Sequence, residues 1–107
     1  MQRFAAVIQV KPEMLETYLE LHQNPHPEVL ETLHRVGVRN YSIFLHAHLL
    51  FSYLEFLGDD WEAAQQEIAR DPATQLWWTL TDPCQTPLET AKPGERWAAM
   101  PSVFLME

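Results

Sequence analysis

The stretch NYSIFLHAHLLFSYLEFL, residues 40–57, decides the fold of this 107-residue chain. Its two apolar runs, Asn40 to Leu45 and Leu49 to Leu57, have the length and composition of β-strands. Only the tripeptide HAH separates them. Because so short a connection forms a tight turn, the sequence predicts two neighbouring strands of one antiparallel sheet.

A further strand and two helices are expected before this pair. Arg3 to Val10 carries apolar residues on both sides at period two, which predicts a strand buried on both faces. Pro12 to His22 begins at a proline and keeps its charged residues on one arc, as in an amphipathic helix. The prolines of NPHP, residues 24–27, interrupt that helix. A second helix is expected from Pro27 to Val36, with Gly37 as its C-terminal cap.

Two more helices and a last strand are expected after the hairpin. Asp59 or Asp60 can cap one helix, and the dipeptide Asp71-Pro72 signals the start of another. The segment from Asp82 to Gly94 holds three prolines and is predicted to be a long loop. The residues SVFLM, 102–106, can supply the final strand. The helix capped by Asp59 or Asp60 has Trp61, Ala64 and Ile68 on its inner face. The helix that starts at Asp71-Pro72 carries Leu76, Trp77, Trp78 and Leu80.

The resulting order is β-α-α-β-β-α-α-β, the split βαβ pattern with each helix broken in two. We therefore predict an α+β, ferredoxin-like domain spanning residues 1–107, with a four-stranded antiparallel sheet and helices on one face. A chain of this length with 47% apolar residues can bury a core of its own. The other sheet face would stay bare, so we expect a homodimer.

Composition narrows the possible partners. Fifteen acidic against seven basic residues give a net charge of −8, and the basic residues are scattered, so nucleic acid and anionic membranes are not expected. A neutral or cationic ligand is favoured. No apolar run approaches the roughly 20 residues of a membrane span, and the first residues are too evenly mixed for a secretory signal. We expect a cytoplasmic protein, and the single Cys84 allows no internal disulfide.

Tyr18 and His22 are the leading candidates for an acid/base site. They lie four residues apart on the inward face of the first helix, so their side chains are neighbours that can converge on one ligand. His22 also falls in the last turn before a proline-broken loop, where a ligand can enter. The alternative is a packed tyrosine beside a hydrogen-bonded core histidine.

The sequence predicts neither a metal site nor a nucleotide site. His22 and His26 have helical spacing, but the prolines between and beyond them break the helix. His46 and His48 occupy a predicted turn without a third ligand nearby, whereas catalytic zinc normally needs three protein ligands. The three glycines are isolated, so no glycine-rich phosphate cradle is formed. Cys84 lacks a motif that would mark it as a nucleophile, and we expect it to be inert.

Three aromatic residues add candidate ligand contacts. Trp77 and Trp78 are consecutive, so on a helix they point about 100° apart, and one is expected to pack while the other is available. An available indole suits the apolar C–H face of a neutral sugar, although burial alone is the alternative. Tyr41 alternates with Ile43 and Leu45, so its ring should lie on an apolar face while its hydroxyl bonds a sugar hydroxyl or a backbone carbonyl.

These motifs together resemble the L-rhamnose mutarotase family. The resemblance rests on Tyr18-x-x-x-His22, NPHPE at 24–28, NYSI at 40–43 and Trp77-Trp78. It spans nearly the whole chain and includes Gln9-Val10, Gly37, Thr81-Asp82 and Val103-Phe104. The family commonly carries an aromatic residue at the position of His26.

The resemblance implies a dimeric α/β barrel that interconverts the α and β pyranose anomers of L-rhamnose without a cofactor. By matching position, His22 would be the proton donor, and Tyr18, Tyr41, Trp77 and Trp78 would contact the sugar. The chemistry fits, because opening the pyranose needs a proton at the ring oxygen and imidazole titrates near neutral pH. The alternatives are a cofactor-free or haem-dependent monooxygenase of the same barrel type and a non-catalytic sugar-binding dimer.

Overall fold

The structure, a computed structural model, describes residues 1–107 and contains five strands and four α-helices. The strands are β1 (Gln2–Val10), β2 (Val38–His46), β3 (Leu49–Phe56), β4 (Gln85–Thr86) and β5 (Ala98–Met100). The helices are α1 (Leu15–Gln23), α2 (Pro27–Val36), α3 (Trp61–Arg70) and α4 (Pro72–Thr81), and short 3-10 turns occupy Pro12–Met14 and Asp82–Cys84. The predicted α+β order of elements is confirmed as far as α4.

The strands form one antiparallel sheet with the order β2-β3-β1-β4. β1 pairs with β3 along almost its whole length, from Gln2 opposite Phe56 to Gln9 opposite Leu49. On its other edge, β1 pairs with β4 through Gln9 and Val10 and with β5 through residues 5–7. Two short strands therefore share the fourth position of a ferredoxin-like sheet.

The C-terminal quarter of the chain corrects two predictions. The predicted loop from Asp82 to Gly94 contains β4, and the last strand is Ala98–Met100 rather than residues 102–106. Residues 102–106 have no regular structure, and Val103 is 95% exposed. Strand propensity reflects packing on a pleated surface more than a backbone preference, and the available edge of β1 is already taken by β4 and β5. Pro101, which has no N–H to donate, follows β5 directly.

The helix ends follow the predicted capping signals. Asp60, not Asp59, caps α3, because its Oδ1 accepts a hydrogen bond from the Ala63 backbone N–H at 3.0 Å. Asp71 caps α4 in the same way through the Thr74 N–H at 3.0 Å. Gly37 ends α2 in the left-handed conformation, with φ at 109°, and its N–H donates back into the last turn. The predicted first helix is shorter than expected, because Pro12–Met14 is a 3-10 turn.

The helices cover one face of the sheet and leave the other open. Ile8, Val10, Leu50, Cys84 and Tyr18 form a buried cluster between β1, β3 and α1. On the open face, Phe44 lies opposite Phe51 across β2 and β3 and is 63% exposed. The predicted bare face is therefore present. None of the helices combines the length and the apolar character needed to span a bilayer.

Candidate active site

The first part of the candidate site is the pair Tyr18 and His22 on α1. Their ring centroids lie 4.2 Å apart, and His22 Nδ1 lies 2.8 Å from the backbone carbonyl oxygen of Tyr18. Because a carbonyl oxygen only accepts, Nδ1 must carry the hydrogen and donate it. The helix therefore fixes the tautomer of His22, and Nε2 is the nitrogen left to exchange a proton with a ligand.

Tyr18 presents a neutral phenol to this site. The residue is buried, and burial holds the pKa of its phenol well above the ordinary value, so the hydroxyl stays protonated at neutral pH. Gln85 Nε2 donates a hydrogen bond to the Tyr18 hydroxyl at 3.4 Å. Since the phenol oxygen accepts from the amide, its own O–H remains available to donate to a ligand.

A bulge in β2 places Tyr41 near this pair. The pairing with β3 shifts register between Arg39 and Ser42, and Asn40 adopts a left-handed conformation with φ at 50°. Tyr41 thereby keeps the same face as Ile43, which packs against the buried cluster that contains Tyr18. A charge on Tyr41 would raise the pKa of Tyr18, so the two phenols share one region.

The phenol of Tyr41 is partly desolvated. The residue as a whole is 45% exposed, yet desolvation raises the pKa of its phenol. Like Tyr18, Tyr41 is therefore a neutral hydrogen-bonding group at physiological pH.

Trp77 on α4 closes the site against α1. The indole is buried and stands nearly perpendicular to the His22 ring, with centroids 5.3 Å apart. It makes a second perpendicular contact with His26, at 4.8 Å. Trp78 points elsewhere on α4, is 39% exposed and takes part in no such ring contact. The structure thus brings Tyr18, His22 and Trp77 into contact, places Tyr41 nearby and leaves Trp78 at the edge.

Sequence inspection missed three residues around the site. Gln85 lay in the predicted loop, and its contact with Tyr18 arises only from the pairing of β4 with β1. Trp97 packs against the buried cluster that contains Tyr18, although the segment before β5 carries no local signal for this. The contact of His26 with Trp77 depends on how α2 meets α4, which the local pattern NPHP does not reveal.

The remaining candidate groups lie apart from one another. No three His, Cys, Asp or Glu side chains converge in an arrangement that could hold a metal ion. His46 ends β2 and His48 lies in the turn before β3, where its carbonyl oxygen accepts the N–H of Val10 at 2.8 Å. Cys84 is fully buried, and desolvation raises the pKa of its thiol, which favours the unreactive protonated form.

Fold and site together define a ferredoxin-like α+β protein with an oriented imidazole between a phenol and an indole. Solved structures share this fold. The chain superimposes over its whole length on an L-rhamnose mutarotase from Formosa agariphila, with a TM-score of 0.78, 23% identity and 100% of that chain covered. It also matches a tetracenomycin F2 cyclase from Streptomyces glaucescens over 100% of this chain and 98% of that one, with a TM-score of 0.74 and 16% identity.

Sequence comparison gives the family. Residues 3–106 match the L-rhamnose mutarotase family. The L-rhamnose mutarotase of Opitutus terrae is 40% identical over 80 residues, 73% of this chain and 74% of that protein. The one from Lactiplantibacillus plantarum is 32% identical over 95 residues, 87% of this chain and 88% of that protein. The chain belongs to the L-rhamnose mutarotase family and is accordingly an isomerase, which favours the mutarotase prediction over the monooxygenase and binding-protein alternatives.

Proposed function

We propose that this chain interconverts the α and β pyranose anomers of L-rhamnose by acid/base catalysis without a cofactor. Family membership supports the substrate, and the net charge of −8 suits a neutral ligand. The observation that carries the chemistry is the His22 imidazole, anchored through Nδ1 to a backbone carbonyl with Nε2 free. An imidazole held in one tautomer is ready to exchange a proton at a fixed position.

In this proposal the imidazolium form of His22, which carries a hydrogen on both ring nitrogens, keeps the Nδ1 hydrogen on the Tyr18 carbonyl and donates the Nε2 proton to the ring oxygen of the sugar. As the bond between the anomeric carbon and the ring oxygen breaks, the anomeric hydroxyl passes its proton to solvent water, which gives the open-chain aldehyde and leaves His22 as the neutral imidazole. Rotation about the adjacent carbon–carbon bond presents the other face of the carbonyl. Closure then runs the same steps in reverse, and His22 recovers its proton. General acid/base catalysis of this kind contributes about 10²- to 10⁴-fold.

The neighbouring aromatic residues would bind and orient the sugar. Tyr18 or Tyr41 donates a hydrogen bond that orients the anomeric hydroxyl, and the raised pKa of each phenol keeps that donor in place. Trp77 and Trp78 would offer indole surface to the apolar C–H face of the sugar. Trp77 does so beside His22, and Trp78 would do so from its more exposed position at the rim.

We further propose that the chain works as a single domain, residues 1–107, in a homodimer. The open sheet face exposes Phe44, and exposed apolar residues continue into the C-terminal segment at Val103 and Phe104. A cavity of about 360 Å³ lies between β1, β3 and that segment, lined by residues that include Tyr53, Met100 and Phe104. A second copy would cover this apolar surface. Sedimentation equilibrium should give twice the monomer mass for the wild type and the monomer mass for Phe44→Glu.

The cytoplasmic location stays a prediction.

The catalytic proposal is tested by anomer exchange on L-rhamnose, measured by saturation-transfer NMR. Wild-type protein should accelerate exchange, and His22→Ala should lose about 10²-fold or more of that acceleration while its circular dichroism spectrum is unchanged. His34→Ala is the matched control, because His34 is exposed on α2. Exchange at the wild-type rate in His22→Ala would remove His22 from the mechanism.

A further inference from the structure

We propose that His26 is a specificity-determining residue, whose imidazole hydrogen-bonds one hydroxyl of the bound sugar. The proposal deepens the function above and rests on it. His26 lies at the junction between α1 and α2, immediately before the first residue of α2, and its side chain is half-buried. It therefore stands at the mouth of the layer in which His22 is found.

The backbone at His26 is held in one conformation. Prolines flank it on both sides, so its own backbone is restricted to extended angles, observed as φ −68° and ψ 120°. Its carbonyl oxygen accepts the N–H of Val29 at 3.1 Å, which ties the residue to the first turn of α2. Because the backbone is already fixed, a contact between His26 and a ligand costs little further backbone entropy.

One indole links this residue to the proposed acid. Trp77 makes perpendicular ring contacts with both His22 and His26, with centroid distances of 5.3 and 4.8 Å. The two imidazoles therefore border the same aromatic surface. A pyranose bound beside the edge of that indole, with its ring oxygen at His22, would have another of its edges within reach of His26.

The ring nitrogens of His26 are free to bind a ligand. No hydrogen bond within the chain engages either of them, whereas His22 uses Nδ1 on the Tyr18 carbonyl. No buried side-chain nitrogen or oxygen lacks a partner, so the His26 nitrogens are open to the surroundings rather than sealed in packing. A neutral imidazole offers one donor and one acceptor, and a sugar hydroxyl can serve either.

The test replaces His26 by Phe, which keeps a flat ring against Trp77 and removes both nitrogens. We expect KM for L-rhamnose to rise about 3- to 10-fold, the effect of one lost hydrogen bond, with kcat little changed. His26→Gln supplies a donor and an acceptor and should recover part of the loss. His34→Phe, on the exposed side of α2, is the matched control.

A panel of sugars identifies the contact. L-rhamnose is compared with analogues that each lack one hydroxyl. For the analogue without the contacted hydroxyl, wild type and His26→Phe should have the same KM, whereas the other analogues should keep the difference. Equal KM values for the two proteins on every sugar would overturn the proposal. So would a fall in kcat of about 10²-fold with an altered pH profile, which would make His26 an acid/base catalyst instead.

A binding measurement separates this proposal from the catalytic one. Should the wild type not accelerate exchange, the catalytic proposal fails, and L-rhamnose affinity is then measured through the fluorescence of the tryptophans. Weaker binding by His26→Phe, by about the same 3- to 10-fold, would still support the His26 contact. Equal affinities, or no binding by the wild type, would overturn it.

Discussion

Two aromatic clusters lie at opposite ends of the layer between helices and sheet. At one end Trp61 stacks on Phe4 at 5.0 Å and leans on Phe56 at 5.1 Å. At the other end Tyr18 and Trp77 enclose His22 at 4.2 and 5.3 Å. The ring distances are similar, but only the second cluster carries imidazoles and phenols with hydrogen-bonding atoms left for a ligand.

The difference shows that aromatic density alone does not mark a site. In the Trp61 cluster, attraction between rings and burial of apolar surface account for the packing. In the His22 cluster, burial keeps the Tyr18 phenol neutral and a backbone carbonyl fixes the imidazole tautomer. We therefore assign the first cluster to stability and the second to chemistry.

The largest expected effect is on stability at the first cluster. Trp61→Ala should lower the free energy of unfolding by about 3–5 kcal/mol, because it leaves a cavity against Phe4 and Phe56. Urea denaturation measures this, and exchange per folded molecule should stay near the wild-type rate. Trp61→Leu gives a milder version if the alanine variant does not fold. A loss below about 1 kcal/mol for Trp61→Ala would contradict the assignment.

The next effect separates the two roles of Tyr18. Tyr18→Phe should slow catalysed anomer exchange about 10-fold, because the hydrogen bond from the phenol to the sugar is lost. It should also lower the free energy of unfolding by about 1–3 kcal/mol, because the buried Gln85 amide loses its hydrogen-bond partner. In the double variant Tyr18→Phe with Gln85→Leu, the free energy of unfolding should recover, because no buried amide is left without a partner, whereas anomer exchange should stay slow. Tyr53→Phe is the control for loss of a phenol hydroxyl, since that hydroxyl donates to Glu55 on the open face. Because Tyr53 borders the proposed dimer surface, this variant is used once sedimentation has shown the wild-type mass. Full activity in Tyr18→Phe would remove the phenol from the site.

The smallest effect concerns the cap that orients the helix of Trp77. Hydrogen bonds from Thr74 lower the pKa of Asp71 in the folded state. Because the pKa of Asp71 is lower in the folded than in the unfolded protein, the ionised carboxylate stabilises the fold at any pH above its pKa in the unfolded chain, about 3.9. This stabilisation is lost as the pH falls through the pKa of Asp71 in the folded protein. The stability difference between wild type and Asp71→Asn should therefore shrink as the pH is lowered from about 5 to 2. A difference that stays constant would contradict this role.

The helical half of the site was predictable, because its signals are local. Helical spacing placed Tyr18 and His22 together, and the prolines of residues 24–27 ended α1. The fourth strand position was not predictable, since β4 and β5 divide one edge of β1 between them and this pairing is settled by packing. Gln85 reaches Tyr18 through that tertiary pairing, so no local pattern could have revealed the contact.

The most direct test of the account is His22→Gln, measured for both sugar binding and anomer exchange. Glutamine keeps a polar amide on α1 and cannot transfer a proton between the ring oxygen of the sugar and the protein. We expect His22→Gln to bind L-rhamnose with an affinity close to that of the wild type and to show no catalysed exchange. Exchange at the wild-type rate in His22→Gln would contradict it.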